Sequence, residues 1–168
     1  MGRVKGRFFT NDFELNRLNR DIRQEQEYHG TEVDWYFFIG AQVDDVYDEG
    51  PADWRGPVEM PVVSVVPVQG ANVTGDSGQY VTDHITLRMS LEQVVTRGLG
   101  RGLSSDFEQH YRDRFVYRHH VYSIEGIRVD GHFDEESRDV MILVTGGQLR
   151  ADELYDDPDF QQYASELG

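Results

Sequence analysis

Side chains able to do covalent, acid–base or metal chemistry are unevenly supplied in this chain. None of its 168 residues is a cysteine. That removes disulfides, thiolate zinc sites, iron–sulfur clusters and thiol nucleophiles together. Six histidines are present: His29, His84, His110, His119, His120 and His132. None stands in a His-x3-His helical pair or a His-Glu-x-x-His run. His119 and His120 are adjacent, and on a strand they would face opposite sides, which is wrong for joint ligation. The expectation is exposed or hydrogen-bonded histidines and no metal. Asp44, Asp45, Asp48 and Glu49 invite a calcium reading, but the alternate-position carboxylates and central glycine of an EF-hand loop are missing. A solvated acidic loop is expected there. Carboxylate pairs suited to hydrolysis occur by chance in a chain with 31 acids, so they carry no weight. Gly98-x-Gly100-x-Gly102 lacks the nucleotide-binding spacing and has no strand before it or clear helix after it, so it reads as a flexible loop. There is no Gly-x-Ser-x-Gly elbow. No catalytic residue, metal ligand or cofactor is expected.

The elements that would have to position any site are mostly strands. Residues 11–28 read as a helix: Asn11 is a fair N-cap, Glu14 completes a capping-box pattern, and Leu15, Leu18 and Ile22 share one narrow face. Gly30 is expected to end it in a left-handed conformation. Residues 32–39 are aromatic and β-branched, hence a strand. Residues 58–68 read as a strand or two short ones, with Pro61 and Pro67 at an edge or at strand ends because they cannot donate to a ladder. Residues 81–90 alternate, Ile85, Leu87 and Met89 against His84, Thr86 and Arg88. Residues 91–96 suggest a helical turn, 113–119 and 121–129 two strands, and 140–145 a buried strand, with Asp134–Glu136 in the turn before it. Gly146-Gly147 is expected to break the chain. Short helical turns are expected at 152–155 and 159–167. The fold class is mainly β, with five or six strands: a small antiparallel barrel or sandwich with an N-terminal helix and extended terminal arms. A helix on a sheet is the second choice. The expected organisation is an arm and helix at 1–30, a β core at 31–147 with long loops at 40–57, 69–80 and 97–106, and an acidic C-terminal arm at 148–168.

Charge excludes several functions. Sixteen bases against 31 acids give a net charge of −15, which opposes gripping nucleic acid or an anionic membrane. Residues 1–30 nevertheless hold six of the bases and five acids, so the remainder is the more acidic part. That polarity suits assembly in which one face complements another. Arg3, Lys5 and Arg7 precede no apolar run, so no secretory signal is expected. Residues 35–39 and 62–68, the most apolar stretches, are too short to span a membrane. The Asn72/Thr74 sequon is then expected to stay unmodified. Aromatics in presumed loops and tail (Trp54, Tyr80, Tyr155, Phe160, Tyr163) suit anchors that order on a partner.

Certain runs resemble a known family. Val46-Tyr47-Asp48-Glu49-Gly50 and Trp54-Arg55-Gly56-Pro57, leading into Pro61-Val62, are similar to the acidic-loop-to-strand passage of tailed-bacteriophage neck proteins. Asp113-Arg114-Phe115-Val116-Tyr117 followed by Val121-Tyr122-Ser123-Ile124 resembles a strand pair of the head-to-tail stopper, or head-closure, proteins. Asp157-Pro158-Asp159-Phe160 with Tyr163-Ala164 is similar to actinobacteriophage versions. The resemblance covers about residues 43–165 and leaves out the N-terminal helix. It implies a non-enzymatic β-barrel that forms a homo-oligomeric ring, hexameric or dodecameric, in the virion neck between capsid and tail. Such a ring is a structural component of the head–tail connector. It sits below the portal or adaptor ring and above the tail terminator or tail tube. It surrounds the genomic double-stranded DNA without reading sequence, closes the exit channel of the filled head until ejection, and needs no cofactor or membrane. Such a protein is made in the host bacterial cytoplasm.

A loop that closes the channel is expected among Gln69, Gly70, Asn72, Gly75, Asp76, Gly78 and Tyr80, with residues 97–106 the less favoured candidate. Contacts to neighbouring rings are expected from Arg3, Lys5, Arg7, Trp54, Tyr155, Phe160 and Tyr163. The alternatives are another tail-joining protein (adaptor or tail terminator), a non-viral ligand-binding β domain, or a carboxylate-dependent hydrolase.

Overall fold

A computed structural model describes residues 11–41, 52–75, 78–100, 104–132, 139–155 and 157–164. Helix α1 runs Asn11–His29. Leu15, Leu18 and Ile22 are half-buried and most of the remaining surface is exposed, as a one-line stripe requires. Gly30 departs from expectation. Its N–H donates to Gln26 O at 2.8 Å, and its φ is not positive. Glycine is needed there for space, because a Cβ would run into the backbone oxygens of Gln26 and Val62.

Among the described residues seven strands follow: β1 Thr31–Ala41, β2 Ala52–Val62, β3 Ser64–Gly75, β4 Gly78–Ser90, β5 Arg114–Tyr117, β6 His120–His132 and β7 Asp139–Gln148. They form one antiparallel sheet in the order β2-β1-β5-β6-β7-β4-β3, coiled into a half-barrel. Both proline-bearing strands, β2 with Pro61 and β3 with Pro67, are the edges, where a missing donor costs least. A single residue, Val63, joins them, and its N–H donates to Arg88 O of β4 at 2.8 Å. One bent strand therefore serves both edges and pulls them together.

Inside the coil lie Val33, Trp35 and Phe37 of β1, Met60 and Val62 of β2, Ile85, Leu87 and Met89 of β4, Phe115, Ile124, Ile142 and Val144. Each large apolar side chain buried this way contributes about 1.5–3 kcal/mol. Parity on β6 changes from Tyr122 and Ile124 to Ile127 because a bulge intervenes between Ile124 and Gly126. Helix α2 (Leu91–Thr96) caps one end of the core through Leu91 and Val94.

Several expected loops are ordered elements. Strand β2 begins at Ala52, inside the 40–57 segment, whose residues 42–51 lie outside the described set. Residues 69–75 and 78–80 belong to paired strands rather than a loop; residues 76–77 lie outside the described set. In 97–106, Leu99 is fully buried and a 3-10 turn starts at Ser104; residues 101–103 lie outside the described set. Gly146 and Gly147 do not break the chain. They sit within β7, opposite Ile85 and His84 of β4. Gly146 lets the Phe115 ring lie against the backbone, since a Cβ there would stand 2.8 Å from it. The Asp134–Glu136 turn lies outside the described residues.

The expected strand 113–119 ends at Tyr117. Arg118 and His119 form a two-residue hairpin turn with φ of 50° and 67°, so His119 and His120 are not neighbours on one strand. Such a turn favours Asn-Gly, and two non-glycine residues in the left-handed region are strained. The double substitution Arg118→Asn/His119→Gly is expected to stabilise the fold by about 1 kcal/mol, read as a raised midpoint in thermal or urea unfolding. Gly146→Ala is expected to destabilise it by about 1–3 kcal/mol through overpacking against Phe115, measured the same way.

Candidate functional surfaces

The segment expected to form a channel loop is a two-stranded ribbon. Ala71 pairs with Thr82, Asn72 with Val81, Val73 with Tyr80, Thr74 with Gln79 and Gly75 with Gly78. A register shift separates this part from Val68↔His84. Gly70 takes φ of 74°, and its N–H donates to Asp83 Oδ1 at 3.0 Å. Strand β7 pairs with β4 only from His84 onward, so residues 69–82 extend past the sheet. That ribbon carries a single charged residue, Asp76, in a chain that is 28% charged. Asp76 itself lies outside the described residues. The topology thus brings together Gln69, Gly70, Asn72, Gly75, Gly78 and Tyr80 on one projection, which Gly70 starts.

A second arrangement, missed by the sequence reading, resembles a catalytic pair. Asp113 and His110 are 1% and 6% exposed. Asp113 Oδ2 accepts from Trp35 Nε1 at 2.9 Å and lies 2.7 Å from His110 Nδ1, while Oδ1 accepts from the Phe38 N–H at 2.8 Å. On the far side of the ring, Nε2 accepts from the Gly100 N–H at 3.0 Å. That bond places the imidazole proton on Nδ1, donated to Asp113. An Asp–His pair of this kind orients a general base only when Nε2 is free to take a proton. Here its lone pair holds a backbone amide. The pair ties β1, the 3-10 turn and the Gly98–Gly100 bend into one unit. The only sequence signal was the three-residue spacing of an acid and a histidine, which carries little information. A cleft of 360 Å³ opens beside it, lined by Phe37, Phe38, Ile39, Arg55, Gly98 and Gln109. No group of three or more His, Asp or Glu among the described residues is placed to hold a metal ion. No helix among them is long and apolar enough to cross a membrane.

The C-terminal segment is not an extended arm over the residues described. Helices α3 (Ala151–Tyr155) and α4 (Gln161–Ala164) fold onto the outer face of β1, β5 and β6. Leu154, Phe160 and Ala164 are buried against Tyr36, Val116 and Val121. Arg114 Nη1 meets Asp157 Oδ2 at 2.7 Å, and its guanidinium lies 4.6 Å from the Trp54 ring and 4.9 Å from that of Phe160. Tyr36 and Tyr163 share a hydrogen bond of 3.2 Å. Of the expected partner anchors, Phe160 is therefore a core residue at 0% exposure, and Trp54 and Tyr163 pack around it. A short apolar segment buries its aromatics against its own sheet when a face is open to receive them. Tyr155 is 58% exposed. Arg3, Lys5 and Arg7 lie outside the described residues.

Asp113→Ala leaves three donors without their acceptor and is expected to cost about 3–5 kcal/mol, read by chemical denaturation. Burial, then the Tyr163 hydroxyl, raises the Tyr36 pKa above its ordinary 10.0. The folded state thus ionises later than the unfolded one. The stabilisation is fully present below pH 10 and is lost as pH climbs beyond it. Tyr36→Phe is expected to flatten the fall of unfolding midpoint above pH 10, measured by thermal scans across alkaline buffers.

No family model matches the chain, and no curated protein matches it. Among solved structures, a chain of the "Virion of native gene transfer agent (GTA) particle" is similar at 13% identity with a TM-score of 0.48, covering 71% of this chain and 94% of that one. A likeness of that size is too slight to bear on fold or function.

Proposed function

We propose that this protein is a non-enzymatic structural component of a bacteriophage-type virion, forming a homo-oligomeric ring in the head–tail connector as a stopper. The observation that carries the reading is the projecting β3–β4 ribbon, in which residues 69–82 hold one acid and no base. An element that lies against DNA without binding it must lack cations, because each neutralised phosphate adds affinity. A surrounding surface of net charge −15 repels phosphate in the same sense. The half-barrel supplies a rigid base for the ribbon, and the residue resemblances quoted above point the same way. A structural role also suits the Asp113–His110 pair, whose Nε2 is occupied by the Gly100 amide.

The reading predicts closed rings in negative-stain electron microscopy of the purified protein, and no shift of linear double-stranded DNA in a gel even at low salt. A monomer at every concentration, or tight DNA binding that weakens with salt, would overturn it.

A further inference from the structure

We propose that the two free edges of the β3–β4 ribbon pair with each other between copies of this chain, so that β3 of one copy adds to β4 of the next. This names the contact surface for the ring proposed above and rests on that reading.

Among the described residues, strand β3 is an edge of the sheet and pairs with β4 alone. In the ribbon, β4 is also free on its other side, because β7 reaches no further than His84. Among the described residues, 71–75 and 78–82 therefore have no strand partner on their outer sides, which lie on opposite edges of one projection. A two-stranded ribbon standing clear of its sheet is marginally stable in water. An open edge is normally protected by charge, proline or cover. The other edge of the sheet has such protection: β2 carries Asp53, Arg55 and Glu59 together with Pro57 and Pro61. Strand β3 carries no charge in its 12 residues and its one proline is Pro67, below the ribbon. The ribbon is thus the unprotected part.

The occupant is a second copy for an electrostatic reason. Two chains of net charge −15 repel, and the repulsion is weakest where the surfaces that meet are uncharged. The pairing is heterologous for a geometric reason. A β3-to-β3 contact about a two-fold axis would stop at two copies and leave both β4 edges open, whereas β3-to-β4 contacts use every edge when the rotation between copies closes a ring. Rotation about a ring axis preserves the component of strand direction along that axis, so strands that run along it bring β3 and the next copy's β4 together antiparallel, continuing the ladder already present within each ribbon.

The test uses the full chain and a variant in which residues 69–83 are replaced by Asn-Gly, leaving Val68 and His84 as the pair that closes a two-residue turn. Hydrogen exchange is followed by mass spectrometry on assembled and dissociated wild-type protein. The proposal expects ribbon amides to exchange about 100-fold more slowly in the assembly. It expects the variant to keep the wild-type circular dichroism and cooperative unfolding while sedimenting as a monomer. Wild-type rings with fast ribbon amides, or rings that persist in the variant, overturn the pairing and leave the ring reading intact. A two-fold dimer that goes no further overturns the heterologous geometry. A wild-type chain that never assembles overturns both readings.

Discussion

A buried carboxylate at the start of β5 holds that strand to its neighbour β1 and to the 3-10 turn. Asp113, at 1% exposure, accepts from the Trp35 indole, the Phe38 amide and the His110 ring. An unpaired carboxylate at that depth would cost several kcal/mol, so each donor is fixed by the need to satisfy it. Trp35 in turn stacks on Phe115, and Phe115 on Tyr122, at 5.8 and 5.2 Å between ring centres. The glycine at 146 exists to let that middle ring lie flat against β7. His110 passes the constraint on to the Gly98–Gly100 bend through its second nitrogen. One acid thus sets the packing of β1, β5, β6 and β7 and the course of the chain leading into them.

The outer layer follows from the same strand. Trp35 points inward and Tyr36 outward, as adjacent strand residues must. The outward face would leave Tyr36, Val116 and Val121 open to water, and the C-terminal helices cover it with Leu154 and Phe160. Arg114 completes the cover, its charge matched by Asp157 and its flat face placed on two aromatic rings. Across the rest of the outer face, polar pairs reach over β7 from β4 to β6: the Arg88–Asp130 ion pair at 2.6 Å and the His84–Glu125 hydrogen bond at 2.9 Å. These exposed pairs add little stability. The charged outer face contrasts with the ribbon, which carries a single charged residue, Asp76.

Much of the fold was legible because it depends on periods of two and 3.6. The alternation of Ile85, Leu87 and Met89 gave β4, the Leu15/Leu18/Ile22 stripe gave α1, and the prolines at 61 and 67 marked both edges. The errors share a cause. Glycine and polar residues at 69–80 and 146–147 signal a turn when only neighbours in sequence are considered. The partners of Gly146 and Gly147 in the ladder are distant, on β4 and β6; at 69–80 the partner is the next strand of the same hairpin, hidden by residues of turn type. Glycine is compatible with a strand wherever another side chain fills the space its Cβ would take. The aromatics Trp54 and Phe160 were misread for the same reason, since their burial depends on a face more than 100 residues away in sequence from one end of the contact.

The sequence by itself determined the absence of cysteine chemistry, the excess of acid, the mainly β class and the order of most elements, because composition and short-range periodicity need no partner to be read. Tertiary structure alone decided that Asp113 and His110 meet Trp35, that the C-terminal segment is a cover, and that the glycine-rich stretch is a ribbon with two open edges. The first two are contacts between residues far apart in the chain, and the third depends on where the distant β7 stops pairing with β4. Such contacts are set by which faces remain unburied after the local elements have formed, and that remainder is defined only once the sheet has coiled.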